Sequence, residues 1–316
     1  MTYPTNRRES AILKALRECA SSTEQIGSGR WNLALANGKS LTVTARLFDE
    51  WLLLDSPLSD RVARRDMWNL LRMNATLEGL SKFVLMADNR SVHLRADVPL
   101  LDEHDLERDS DDELDGELTA RLHSACAGLK AAFRSFQGET MNQHRVSTAP
   151  KNSKANGGSG AGELQSVCGD AGWPFIERSA GKFVVDLDAR GGFYQATVEQ
   201  RDAGAHVSVE IAQAAVAETS RQALSALLLK AGGLVRMARP SLEEKEGDIA
   251  ARFEVRFDAM PTAFELTHAF SSLSVACTLC GREARSIEDE VIAREYLAIG
   301  RVAAEAREEA MLTAAD

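Results

Sequence analysis

Apolar and polar positions along the chain run through the same succession twice. Asn6, followed three residues later by Glu9, predicts a capping box ahead of AILKALRECA, where Ile12, Leu13, Leu16 and Cys19 or Ala20 recur at helical spacing. WNLALAN and SLTVTARLF then alternate apolar and polar residues on either side of Asn37-Gly38, which predicts a hairpin. A third run, EWLLLDS, ends at Pro57. Asp60 is placed to cap the next amphipathic stretch, which carries Val62, Met67, Leu70, Leu71 and Met73. KFVLM and SVHLRADV, separated by Asp88-Asn89, predict a second hairpin. After an acidic segment, Leu118, Leu122, Ala125, Leu129, Ala132 and Phe136 form one apolar helical seam.

The pattern restarts after residue 162. ELQSVCGDAG predicts a short helix ending at Gly172. KFVVDLD, FYQATVEQ and AHVSVEIA predict three strands, with turns at Ala189 to Gly192 and Asp202 to Gly204. Thr219 is placed to cap the next helix. LVRMAR and AARFEVRFD predict a hairpin joined by a charged loop, Leu242 to Asp248. The closing helix has its seam at Leu266, Phe270, Leu273, Cys277 and Cys280. Asp258-Ala-Met-Pro261 echoes Asp97-Val-Pro99. The halves match in element order and apolar pattern rather than in residue identity.

Between them, residues 138–162 hold Gly, Ser, Asn, Lys and a Pro with almost no large apolar side chain. Such a stretch buries too little apolar surface to offset its ordering entropy, so a flexible linker is expected. The expected organisation is a first domain at 1–137 with an acidic insertion at 101–117, the linker, a second domain at 163–281 and a helical extension at 282–316. The Ala, Glu and Arg content of the extension favours helix, with Ile287, Val291, Ala298 and Val302 as its thin apolar stripe. The fold class is α+β: two tandem α-βββ-α-ββ-α domains, each an antiparallel sheet packed by helices.

Helix, three strands, helix, two strands, helix in a small acidic domain resembles the type III secretion chaperone fold, shared by class I secretion chaperones and YbjN-like domains. The resemblance is topological and covers Arg7 to Phe136 and Glu163 to Gly281. It implies a domain that is not an enzyme. It also implies dimerisation, largely through the middle helix and nearby strands, and binding of an extended client segment on sheet and helix surfaces. Two copies on one chain imply an intrachain pseudo-dimer, with a homodimer as the other arrangement.

Charge narrows the partner. A net charge of −10 argues against nucleic acid or an anionic membrane and suits solubility or a basic partner. The N-terminus has no apolar leader and no apolar run is long enough to span a bilayer, while five scattered cysteines make no disulfide framework. A reducing cytoplasm is the expected location.

Candidate chemistry is sparse. His123-x-x-Cys126 and Cys277-x-x-Cys280 lie in equivalent closing helices and would supply a Cys3His zinc set if the helices met. Their place on the apolar seams favours core cysteine, and no metal or other cofactor is expected. The run Asp102, Glu103, Asp105, Glu107, Asp109, Asp111, Asp112, Glu113, Asp115 and Glu117 lacks the EF-hand order, so a solvated charged loop is favoured over a calcium site or a basic partner's dock. The histidines (93, 104, 123, 144, 206 and 268) stand apart from any catalytic frame. Glycines at 157–162 and 191–192 lack the setting of a phosphate loop. Trp31, Trp51 and Trp68 are the candidate partner-binding residues, since aromatics on an open sheet face make a peptide platform; Trp173 is the remaining tryptophan, and core packing is the ordinary use of all four.

A non-catalytic protein-binding module is therefore the expected function. The alternative is a structural or regulatory YbjN-like protein whose two copies pack on each other and leave no client site.

Overall fold

A computed structural model describes the chain outside residues 1–6, 36–39, 87–90, 101–110, 142–160, 191, 202, 214–216, 246–247 and 301–316. The first half contains α1 (Arg7–Cys19), β1 (Ser22–Gly27), β2 (Arg30–Leu35), β3 (Leu41–Phe48), β4 (Trp51–Ser59), α2 (Arg64–Asn74), β5 (Ser81–Leu85), β6 (Val92–Pro99) and α3 (Asp111–Met141). The second contains α4 (Ala161–Asp170), β7 (Phe175–Ser179), β8 (Lys182–Leu187), β9 (Tyr194–Arg201), β10 (Gly204–Gln213), α5 (Glu218–Leu234), β11 (Arg239–Lys245), β12 (Asp248–Phe257) and α6 (Ala263–Ser286). A further helix, α7, covers residues 290–300. The protein is α+β, with two six-stranded antiparallel sheets in similar halves and a C-terminal helix.

Strand order is the same in both sheets: β1-β2-β3-β4-β6-β5 and β7-β8-β9-β10-β12-β11. Each sheet has one strand more than the apolar pattern predicts, and in both cases it is the first. β7 (FIERS) is exposed beyond its first residue, and the half-buried positions of β1 (STEQIG) are Thr23, Gln25 and Gly27, so neither carries an apolar alternation. Matching turns hold them. Gly29 (φ +60°) and Gly181 (φ +70°) take the left-handed conformation one residue before the next strand, and each first strand shifts register three residues earlier. Gly29-Arg30-Trp31 and Gly181-Lys182-Phe183 are thus equivalent, with Trp31 and Phe183 both fully buried.

Several expected boundaries move. Asp60 is exposed and does not cap α2, which starts after Ala63 with no side-chain cap. Pro57 lies inside β4, beyond the residues that pair with β3. Thr219 lies within α5, whose N-cap is Ala217. The strand expected at LVRMAR begins only at Arg239, because Met237 adopts φ +47° and breaks the extended run; most of the expected charged loop is β11 itself. Pro240 is tolerated there because β11 is an edge strand. α3 is 31 residues long and takes in the end of the acidic insertion from Asp111 onward. Gly138 to Met141 of the expected linker belong to α3, and Ala161-Gly162 to α4.

The α6 seam is as expected: Leu266, Phe270, Leu273, Cys277 and Cys280 are all fully buried. Thr262 and Glu265 close its N-terminus with a capping box. α6 runs past Gly281 to Ser286, and the chain breaks before α7. Of the expected terminal stripe, Ile287 is buried, whereas Val291 and Ala298 face outward and Ala293 is the inward residue. Asn6, Asn37-Gly38, Asp88-Asn89, the acidic residues 102–109, His104, His144, Gly191, Asp202, linker residues 142–160 and Val302 lie outside the described residues.

The chain forms two compact units that do not follow the two halves. One comprises Met1–Pro57, Leu77–Lys82 and Leu94–Lys154. The other comprises Leu58–Thr76, Phe83–His93 and Ala155–Asp316. In the first, α1 packs on α3 and buries Ile12 and Leu16, while Leu122, Ala125, Leu129 and Ala132 form the buried face of α3. In the second, α6 lies across β8, β9, β10 and β12.

Candidate functional site

Within the second unit, α2 is docked on elements of the other sequence half. It packs against α5 and β11. Met67, Leu70, Leu71 and Met73 supply its buried face, and Arg221 of α5 stands over the Trp68 ring, 5.4 Å from its centroid. β5 approaches α5 as closely. A Cβ at Gly233 would lie 2.9 Å from the Leu85 carbonyl oxygen, and one at Gly232 would meet Pro240 at 2.6 Å and Val84 at 3.7 Å. Only glycine allows these approaches.

A buried charge cluster closes the same region. On β12, Glu254 Oε1 lies 3.0 Å from Arg239 Nε and 3.1 Å from Arg256 Nη2, while Oε2 lies 3.0 Å from His206 Nε2. Arg239 stands directly opposite Glu254 in the β11–β12 register, and His206 stands opposite Arg256 in the β10–β12 register. Arg256 Nη2 also donates to the Ala75 carbonyl oxygen at the C-cap of α2, 2.6 Å away. Burial pushes the Glu254 carboxyl up, but Arg239, the His206 hydrogen bond and Arg256 outweigh it and hold the group well below the usual carboxylate range. Glu254 is therefore ionised and the neighbouring N–H groups donate to it. Two further buried ion pairs, Lys82–Asp97 at 2.6 Å and Arg95–Asp55 at 3.2 Å, lie in the first unit.

The two ends of each sheet differ in burial. Every residue of β5 is buried, and Arg239 to Leu242 of β11 are buried. At the opposite ends, β1 alternates between exposed and half-buried residues, and β7 exposes all but its first residue, with Ile176 54% accessible. An open strand edge presents unpaired N–H and C=O groups to another chain.

The sequence-predicted residues are spread over different environments. Trp31 is fully buried in β2. Trp51 is half-buried at the β3–β4 turn, paired with Phe48. Trp68 is half-buried under Arg221. Trp173 packs on Phe270 with ring centroids 5.2 Å apart. His123 is exposed whereas Cys126 is buried, so the i,i+3 pair does not share a face. Among the described residues no group of three or more His, Cys, Asp and Glu side chains is placed to hold a metal ion, and no helix is long and apolar enough to cross a membrane. Sequence reasoning missed the Glu254 cluster. Its signal was the dense alternation of charges in β12, Glu254-Val255-Arg256, on a strand with buried neighbours.

Comparison of the chain with protein-family models, with curated proteins and with solved structures finds no match.

Proposed function

We propose that the chain is a non-catalytic protein-binding module of the type III secretion chaperone kind, which takes an extended segment of a partner protein at the β1 and β7 edges. The observation that carries this reading is the asymmetry of each sheet: one terminal strand is buried, the other exposed. The docking of α2 on α5 and β11 supports it further, because the resemblance gives the middle helix and nearby strands to dimerisation. In this chain that surface is occupied internally, which leaves the opposite edges for a client. Strand addition draws its affinity from main-chain hydrogen bonds and its selectivity from alternate side chains, here Thr23 and Gln25 on β1 and Ile176 and Arg178 on β7.

The test is capture from a source lysate with the full-length tagged chain, run beside Ile26→Asp and Ile176→Asp. Both residues are exposed, so either change leaves the fold intact. A partner retained in stoichiometric amount by the parent chain and lost from a variant supports the reading. Equal capture by all three chains overturns the assignment to the β1 and β7 edges, and a single species in light scattering that retains nothing favours the structural reading with no client site.

A further inference from the structure

We propose that Cys19 and Cys126 form an oxidation site, in which a peroxide converts the two thiols to a disulfide that ties α1 to α3. Both residues belong to the first compact unit. Cys19 is the last residue of α1, 7% exposed, and Cys126 lies on the buried face of α3, 1% exposed. The side chains of Cys19 and Cys126 come together in the buried contact between α1 and α3. A second contact fixes this approach independently. Lys130, one turn after Cys126 on the same face of α3, donates from Nζ to the Cys19 carbonyl oxygen at 3.2 Å. Two points of α3 thus hold the end of α1, which supplies the side-chain proximity that a disulfide requires.

Cys19, at the end of α1 and the more exposed of the two, is the attacking group, and the local electrostatics agree. The hydrogen bond from Cys126 lowers its thiol below the ordinary value; burial and Glu18 oppose this, and Lys130 assists it. Cys126 is pushed up by donating that bond and by burial, so it remains the protonated partner. The other cysteines are held as thiols, with burial pushing Cys168 up to about 11 and Cys277 up to about 12.

The step balances with hydrogen peroxide as oxidant. The Cys19 thiolate attacks one peroxide oxygen, the O–O bond breaks and hydroxide leaves, giving a sulfenic acid. The Cys126 sulfur then attacks the Cys19 sulfur, the S–S bond forms, the S–O bond breaks and the second oxygen departs as water. Two thiols lose two hydrogens, and one peroxide is reduced to two waters.

The experiment treats the reduced full-length chain with a small molar excess of hydrogen peroxide, alkylates in denaturant and maps the non-reduced digest by mass spectrometry. The expected result is loss of two of the five alkylatable thiols, a cross-linked peptide joining Cys19 to Cys126, and recovery of both thiols with dithiothreitol. In Cys126→Ala, which removes the resolving thiol, dimedone should label Cys19. The proposal is overturned if the parent chain keeps Cys126 alkylatable while Cys19 advances to sulfinic acid. It is equally overturned if a different pair is cross-linked, or if all five thiols persist.

Discussion

Arg256 and Ala75 are 181 residues apart in sequence and joined by a 2.6 Å hydrogen bond from guanidinium to carbonyl. The bond falls where α2 needs it. A helix ends with carbonyl groups that lack intrahelical donors, and the negative end of its dipole favours a cation. Arg256→Met keeps much of the aliphatic stem and removes the donor. The change also takes one cation from the buried Glu254 carboxylate, so the expected cost is about 3–5 kcal/mol, the range for breaking a buried ion pair, seen as a lower urea midpoint.

Glu254 sets the acid limit of the same region. A carboxyl held below its ordinary value stabilises the fold above that value and loses the contribution as pH falls toward its folded value. Stability of the parent chain should therefore decline as pH drops below about 4.5, the ordinary value for this group. Glu254→Gln removes this part of the acid limb. It also leaves the buried Arg239 and the half-buried Arg256 without their carboxylate, so at neutral pH the variant should be less stable by about 3–5 kcal/mol. Denaturant titrations of both chains across the acid range check both signs; an unchanged acid limb would refute the assignment.

Glycines in helices offer a matched pair of outcomes. In α5, Gly233→Ala gains about 1 kcal/mol of helix propensity but drives a Cβ to 2.9 Å from a carbonyl oxygen. Overpacking of that kind costs about 1–3 kcal/mol, so a net loss of stability is expected. In α4, a Cβ at Gly169 meets nothing within 4 Å, and Gly169→Ala should stabilise by about 0.5–1 kcal/mol. Thermal unfolding of the two variants should shift in opposite directions.

Trp31 and Phe183 are equivalent core positions, each one residue into the second strand of its sheet. Truncation to alanine at either should cost about 3–5 kcal/mol through cavity formation. Trp68→Ala, at a half-buried ring stacked under Arg221, should cost less. A Trp31→Ala chain with parental stability would show that the indole is not part of the core.

The sequence made the α+β class and the repeated order legible, most cleanly at β2, β3, β8 and β9, because those strands bury one face and alternate. The α6 seam was legible for the same reason. β1 and β7 were not, since an edge strand that exposes its side chains has no apolar period to detect. The start of β11 was hidden by Met237, whose positive φ is rare for its residue type and leaves no pattern in the neighbouring residues. The docking of α2 was beyond reach, because it depends on Gly232, Gly233 and Arg256, residues that read locally as helix interior and strand face. Of the candidate site, the tryptophans were visible as residue types, but their separate environments follow from tertiary packing alone.

The docking of α2 on α5 joins surfaces carried by a single polypeptide, which changes how it responds to dilution. Between two separate chains, the same contact would be bimolecular and would weaken as concentration fell toward its dissociation constant. Here the tether sets a fixed effective concentration, so the contact persists however scarce the protein is in the cell. Joining also frees the two exposed edges from identity. In a homodimer each substitution appears twice, whereas STEQIG and FIERS occupy corresponding edges with unlike chemistry, and each can be tuned without altering the other.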